Sequence, residues 1–218
     1  MGLVTLDPPW LTLDLGAPRQ VLSWAIAGPG LVTARRILWR EVSDRDLTPD
    51  LDAADWLARE LSGRGWGGDV AFLTSRTLDR FTEARATVGE VCVHVVATTG
   101  LSNAERVGAR MDYSGRSWGT INVAVQLSAA LTEPAMIEAM SIAVEARTTA
   151  VIDAGWRLAT GTATGTGTDC VAIAADRGGI AYAGLHTAAG EAIGRAVYAA
   201  VLDGARDWIS ERGELGND

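Results

Sequence analysis

Gly119-Thr120-Ile121-Asn122-Val123-Ala124-Val125-Gln126-Leu127 is a β-branched run whose polar members, Thr120, Asn122 and Gln126, share one parity and fall on one side of a strand. Thr132-Glu133-Pro134 follows it and opens a helix by the favoured rules: a capping hydroxyl, an acid, and proline in the first turn. That helix is expected to run to about Asp153, with Gly155 behind it. Met136, Ile137, Met140, Ile142, Val144 and Val151 supply its expected buried side. A strand joined to so long a helix buries both apolar faces by laying helix on sheet.

The remaining segments extend this pattern. Val21 to Ala27 reads as a strand ended by Gly28-Pro29-Gly30, and Leu31 to Val42 as a second, with Arg35-Arg36 and Arg40-Glu41 flanking its apolar centre. Ser43 to Pro49 is a polar connection. Asp52 to Leu61 is expected to be helical, with Leu57 and Leu61 on one face and Gly63 just past the end. Val70 to Leu73 and Glu90 to Thr98 are further strands, the second closed by Gly100. Cys170 to Ala175 and Ile180 to Leu185 form two more, joined by the hairpin residues Asp176-Arg177-Gly178-Gly179. The last helix runs from Thr187 to about Ser210, with the stripe Ala192/Ile193, Ala196/Val197, Ala200/Val201 and Trp208. With no composition break along the chain, the expectation is one α+β domain over residues 1–218, a mixed β-sheet with helices packed on it.

A formal net charge of −8 works against duplex binding and against a negative membrane surface, so neither nucleic acid nor membrane is an expected partner. The only two cysteines, Cys92 and Cys170, lie in apolar runs and suggest buried thiols rather than a disulfide framework. Met1 to Trp10 lacks the pattern of a secretory signal, and no apolar stretch reaches the roughly 18 residues of a membrane span. The expected location is the cytoplasm, and a homo-oligomer is compatible with the sequence.

Thr160-Gly161-Thr162-Ala163-Thr164-Gly165-Thr166-Gly167-Thr168-Asp169 is the most unusual stretch. If extended, it sets five hydroxyls on one face. If it turns, its glycines let several N–H groups converge on an anion or oxyanion. A plain threonine ladder in a sheet competes with both. Asp169 is either a functional acid or a strand-end turn residue. His186, between a strand and a helix start, is either a neutral proton acceptor or a core-edge histidine. Thr187 is the expected helix cap, and Glu191 a first-turn acid. Ser102 or Asn103 could contact a substrate amide, or cap a turn. Glu138 and Glu145 fit a solvated helix face. His94 with Cys92 does not match any paired-ligand motif, so no metal is expected.

Taken in order, Thr99-Gly100-Leu101-Ser102-Asn103-Ala104, Gly119-Thr120-Ile121-Asn122, Glu145-Ala146-Arg147-Thr148, Gly161 to Asp169, and Gly184-Leu185-His186-Thr187 with Gly190-Glu191 resemble the adenosylcobinamide amidohydrolase family. The resemblance is strongest over residues 70–205. Ala27-Gly28-Pro29-Gly30 stands where the family tends to show Asn-Gly-Gly, and Arg147 where lysine is usual. The resemblance implies hydrolysis of the amide between the aminopropanol arm and the corrin ring of adenosylcobinamide, giving adenosylcobyric acid. The cobalt-containing corrinoid is then substrate, and no further cofactor is required. Under that reading His186 is general base with Asp169 orienting it, and either Thr166 or Thr168 is nucleophile or water attacks directly. Gly165 and Gly167, with Asn103, stabilise the oxyanion. Asn122, Thr162, Thr164, Thr187 and Glu145 contact substrate, and Trp118 packs on the corrin. These roles imply that His186→Ala and Asp169→Asn lose turnover while folding normally. Two other classes compete: an amidohydrolase that remodels complete cobamides, and a corrinoid-binding protein without catalysis. In a structural protein the threonine run would be only a ladder.

Overall fold

The structure, a computed structural model, describes residues 1–43, 45–48, 50–112 and 119–215. In chain order come β1 (Leu3–Asp7), β2 (Trp10–Ser23), β3 (Gly30–Glu41), α1 (Ala53–Gly63), β4 (Val70–Thr74), β5 (Thr82–Val88), β6 (Val91–Thr99), β7 (Ala104–Glu105) and β8 (Ile121–Leu131). There follow α2 (Glu133–Ala154), β9 (Arg157–Leu158), β10 (Gly161–Thr162), β11 (Gly165–Thr166), β12 (Cys170–Arg177) and α3 (Ala188–Leu215). One mixed sheet carries the order β4-β3-β2-β12-β8-β6-β5, with β1 paired to β2 off this path. Two pairs are parallel, β3 with β4 and β8 with β12, and each is joined through a helix, α1 and α2 respectively. The α+β expectation holds.

One face of the sheet is covered by α2 and α3. Val93, Val95, Ile121, Val123, Val125 and Ile173 pack there against the helices. The α3 stripe is buried as its spacing predicts. Helix α2 differs from expectation: Ile137 is exposed, and Ala135, Ala139, Ala143, Ala146 and Ala150 form much of its buried side. Alanine faces let α2 and α3 approach closely. Thr132 caps α2 by accepting from Ala135 N at 3.3 Å, and Gly155 ends it in the left-handed conformation (φ 80°).

The other face is concave. Strand β2 carries an irregularity between Asp14 and Arg19, where Gly16 takes φ 82°. Opposite it the Arg35 and Arg36 N–H groups donate to Asp69 Oδ1 at 3.0 and 2.9 Å instead of to the ladder. Bulges bend strands. The bend brings Leu11, Leu13, Ile37, Trp39 and Phe72 over Val96, Ala124, Ala172 and Ala174. Asn122 and Gln126 sit on the predicted shared face because they meet the strands folded over them. Asn122 Nδ2 donates to Leu73 O at 2.8 Å, and Gln126 Nε2 to Leu15 O at 3.0 Å. Helix α1 packs outside this fold-over, where Leu57 and Leu61 meet Trp10, Leu38 and Ala71. Trp10 and Trp66 stack edge-on at 5.3 Å, with Arg40 and Arg64 over the Trp10 ring, so these tryptophans serve packing.

Four further points depart from expectation. The first strands, β1 and the first half of β2, precede the strand expected at Val21, and Gly63 lies inside α1, with Arg64 at its C-cap. Strand β5 was not anticipated at all. Ile180 to Leu185 is not a strand: Gly178 N donates to Leu131 O and Ile180 N to Ala130 O, at 3.0 and 3.1 Å, so the chain folds over the end of β8 instead of making a hairpin. Among the described residues no helix is long and apolar enough to cross a membrane.

Two outcomes follow from this packing. A Cβ on Gly190 would collide with the Gly184 carbonyl, so Gly190→Ala should destabilise by about 1–3 kcal/mol in thermal melts. His94 is fully buried, its Nε2 2.9 Å from Glu83 Oε1. Burial holds its pKa below the ordinary 6.5, with Glu83 pulling the other way. The unfolded chain therefore takes the proton first. Stability should be full above about 6.5 and fall as pH drops below it, a slope that His94→Leu removes in urea titrations.

Candidate active site

Strands β8 and β12 run parallel with Cys170 opposite Asn122, and antiparallel β6 places Thr98 opposite the same Asn122. This register brings three segments to one edge: the chain leaving β6, the residues entering β8, and the threonine run entering β12. Gly119 makes the closeness possible, since a Cβ there would sit 2.6 Å from Ser102 N and 2.9 Å from Gly100 O. Across the concave face stand the carboxyl ends of β3 and β4. Between them lies a cavity of about 890 Å³. Phe72, Ile26 and Trp208 give it apolar surface, while Ser102, Thr120, Asn122 and Thr168 offer polar groups.

The threonine run turns rather than extends, pairing briefly as β10 with β9 and as β11 with β7. Its hydroxyls mostly bind protein. Thr162 accepts from Arg157 at 2.6 Å, and Thr164 accepts from Val107 N at 2.8 Å. Thr166 donates to Asp169 Oδ1. Thr168 donates to Gly119 O at 2.8 Å and accepts from Asn103 Nδ2 at 3.3 Å. Of the run, only Thr168 lines the cavity. Asn103 is 3% exposed and ties the three segments together: Oδ1 accepts from Gly119 N, and its carbonyl from Gly167 N.

Asp169 is the centre of this arrangement. Its carboxylate pairs with Arg147 of α2 and accepts from Ile121 N at 3.1 Å and Thr166 N at 3.0 Å. Trp24 Nε1 donates to its carbonyl at 2.7 Å. Both ionic side chains are about nine-tenths buried, and burial lowers the Arg147 pKa to about 10, which leaves it charged at neutral pH. Gly165 is obligatory beside them: a Cβ there would lie 2.5 Å from Asp169 Oδ2 and 2.8 Å from Arg147 Nη1.

The structure does not bring His186 to this edge. It is exposed before the first turn of α3, whereas Trp208 and Arg212 near the other end of that helix line the cavity. Twenty-eight helical residues separate the two ends by about 42 Å. Asp169 therefore orients a backbone segment and an arginine, not His186. Thr166 is held by Asp169, and Thr162, Thr164 and Gly165 do not line the cavity. Thr187 caps α3, accepting from Gly190 N at 2.9 Å. Glu145 is exposed on α2 beside Ser141. Trp118 lies outside the described residues. Asn122, expected to contact substrate, and Thr168, expected as a possible nucleophile, line the cavity, with Gly167 exposed beside them and Asn103 as their support.

The charged groups of the cavity were not anticipated. Arg76 reaches Glu211 at 2.5 Å and Asp207 at 2.7 Å, and this pairing from Arg76 holds the Glu211 carboxyl below its ordinary range. Arg212 donates to Ser102 Oγ at 3.3 Å. Glu41 lines the same space. Cys170 donates toward Trp24 O at 3.7 Å, and burial pushes its thiol pKa up to about 11. Among the described residues no three His, Cys, Asp or Glu side chains gather as a metal site.

The fold and cavity define an α+β protein with a roomy site, apolar on one side and amide- and hydroxyl-lined on the other. The chain belongs to the adenosylcobinamide amidohydrolase family, whose model matches residues 4–213. No curated protein matches it. Among solved structures it is similar to the PH0078 protein from Pyrococcus horikoshii OT3 at 9% identity, covering 94% of this chain and 82% of that one. The TM-score is 0.44, a likeness too distant to bear on fold or function.

Arg147→Met would leave Asp169 buried without its cation. It should cost about 3–5 kcal/mol in urea unfolding, far more than loss of an exposed pair.

Proposed function

We propose that this cavity binds adenosylcobinamide and hydrolyses the amide joining its aminopropanol arm to the corrin ring, releasing adenosylcobyric acid. The observation that carries the reading is where the cavity lies. Its polar wall is built from Gly100 and Ser102, from Gly119, Thr120 and Asn122, and from Thr168. These belong to three of the segments in which the sequence resembles the amidohydrolase family, and the family match over residues 4–213 supports the same chemistry.

The surfaces suit such a substrate. A corrin is broad and partly apolar with a fringe of carboxamides, so Phe72, Ile26 and Trp208 offer it apolar contact while Thr120 and Thr168 face its amides. A volume near 890 Å³ is at the upper end of ligand pockets, enough for one arm and edge of the macrocycle with the rest outside. Ser102 accepts from Arg212, and its own proton has no partner among the described residues. It is therefore placed to donate to the carbonyl oxygen as that oxygen becomes negative.

Purified protein incubated with adenosylcobinamide should yield adenosylcobyric acid and free aminopropanol by mass spectrometry, and a complete cobamide should react more slowly. An unchanged substrate would overturn the reading. Trp208→Ala should raise KM roughly tenfold with a smaller effect on kcat. His186→Ala should keep turnover within about twofold, because His186 lies at the far end of α3.

A further inference from the structure

Resting on that reading, we propose that Glu41 is the catalytic base that takes the proton from the attacking water. Glu41 ends β3 on the same side as Ile37 and Trp39, the concave side, with its Cα paired to Thr74 across the parallel β3–β4 ladder. It lines the cavity opposite the polar wall of Ser102, Asn122 and Thr168.

The choice follows from comparing the groups that could do this work. Among the described residues two carboxylates line the cavity, Glu41 and Glu211. Glu211 is tied to Arg76 at 2.5 Å and to Arg80 at 3.4 Å, so a proton on it would break both contacts. Glu41 has no ion-pair partner among the described residues. Its Oε2 accepts from Leu78 N at 3.0 Å, which fixes the side chain and leaves Oε1 for a water. Along the polar wall the possible nucleophiles are committed: Cys170 is held as a thiol against Trp24 O, and Thr168 donates to Gly119 O. Thr120 donates to Thr168 O at 2.8 Å. Ser102 has an arginine beside it and no base. Direct attack by water under a carboxylate is the route these contacts leave open.

The step balances without another reactant. Water gives one proton to Glu41 as its oxygen bonds to the amide carbon, and the carbonyl π pair moves to oxygen, where Ser102 donates to it. The pair then re-forms the carbonyl, the C–N bond breaks, and the proton on Glu41 passes to the departing nitrogen. The new carboxylic acid loses its proton to the freed amine, leaving carboxylate and ammonium.

The competing role is that Glu41 merely anchors the turn at Leu78. Glutamine supplies the same acceptor to Leu78 N but takes no proton, so Glu41→Gln separates the two. Wild-type and Glu41→Gln proteins are compared for turnover of adenosylcobinamide, for adenosylcobinamide binding by equilibrium dialysis, and for melting temperature. The expected result is a fall in kcat of about 10²–10⁴-fold, with binding within threefold and melting unchanged. Turnover of the variant within tenfold of wild-type overturns the role of Glu41 alone, and so does a loss of turnover that tracks lost binding or folding. An inactive wild-type protein overturns the amidohydrolase reading and the base with it.

Discussion

The Asp169 carboxylate is the interaction on which the site depends. It receives a guanidinium from α2, a backbone N–H from the first residue of β8, and a backbone N–H with a hydroxyl from Thr166. A buried carboxylate is costly unless its lone pairs are met, and here the donors come from three different parts of the chain. The turn of the threonine run, the start of β8 and the register of α2 over the sheet are thereby fixed together. Gly165 is bare because the ion pair occupies the space where a side chain would stand.

A second constraint is the polar content of the concave face. Asn122 and Gln126 would be unfavourable on a buried sheet face covered by apolar side chains. They are satisfied because the irregularity in β2 turns the N-terminal strands over them and presents the Leu73 and Leu15 carbonyls. The fold-over stops short of the sheet edge, and that gap is the cavity.

What could be read from the sequence was whatever local chemistry decides. Thr132, Pro134 and Gly155 bound α2 through capping alone, and the parity of Asn122 and Gln126 is visible in nine residues. Strand β5 is not legible in the sequence because its alternation, Thr82-Glu83-Ala84-Arg85-Ala86, carries alanine rather than bulky residues on its covered side. The threonine run offered hydroxyls without showing that neighbouring backbone would bind them. Glu41 stood in plain view as a flanking charge. Its signal was strand parity, since Ile37, Trp39 and Glu41 fall on one side, but which side faced a cavity depends on pairings far away in sequence.

The placement of His186 follows from the direction of β12. The polypeptide enters β12 at the cavity edge with Asp169 and leaves it at Arg177 on the far side, so a residue between that strand and α3 is carried away from the site. Helix α3 then returns the chain, and its last turns, not its first, close the cavity with Trp208 and Arg212. The parallel pair β8–β12 thus presents its amino ends to the site, while β3–β4 presents its carboxyl ends from across the concave face. Ligands of open α/β sheets gather at carboxyl ends, where the chain leaves the strand into a loop free to carry charge. Glu41 and Arg76 lie at or just beyond those ends, whereas the amino-end wall is a lattice of glycine backbone, threonine and asparagine. The two pairs therefore wall the site differently: Glu41 and Arg76 stand at the N-terminal pair, the C-terminal pair supplies the rigid polar surface, and Glu211 and Arg212 of α3 add further charge.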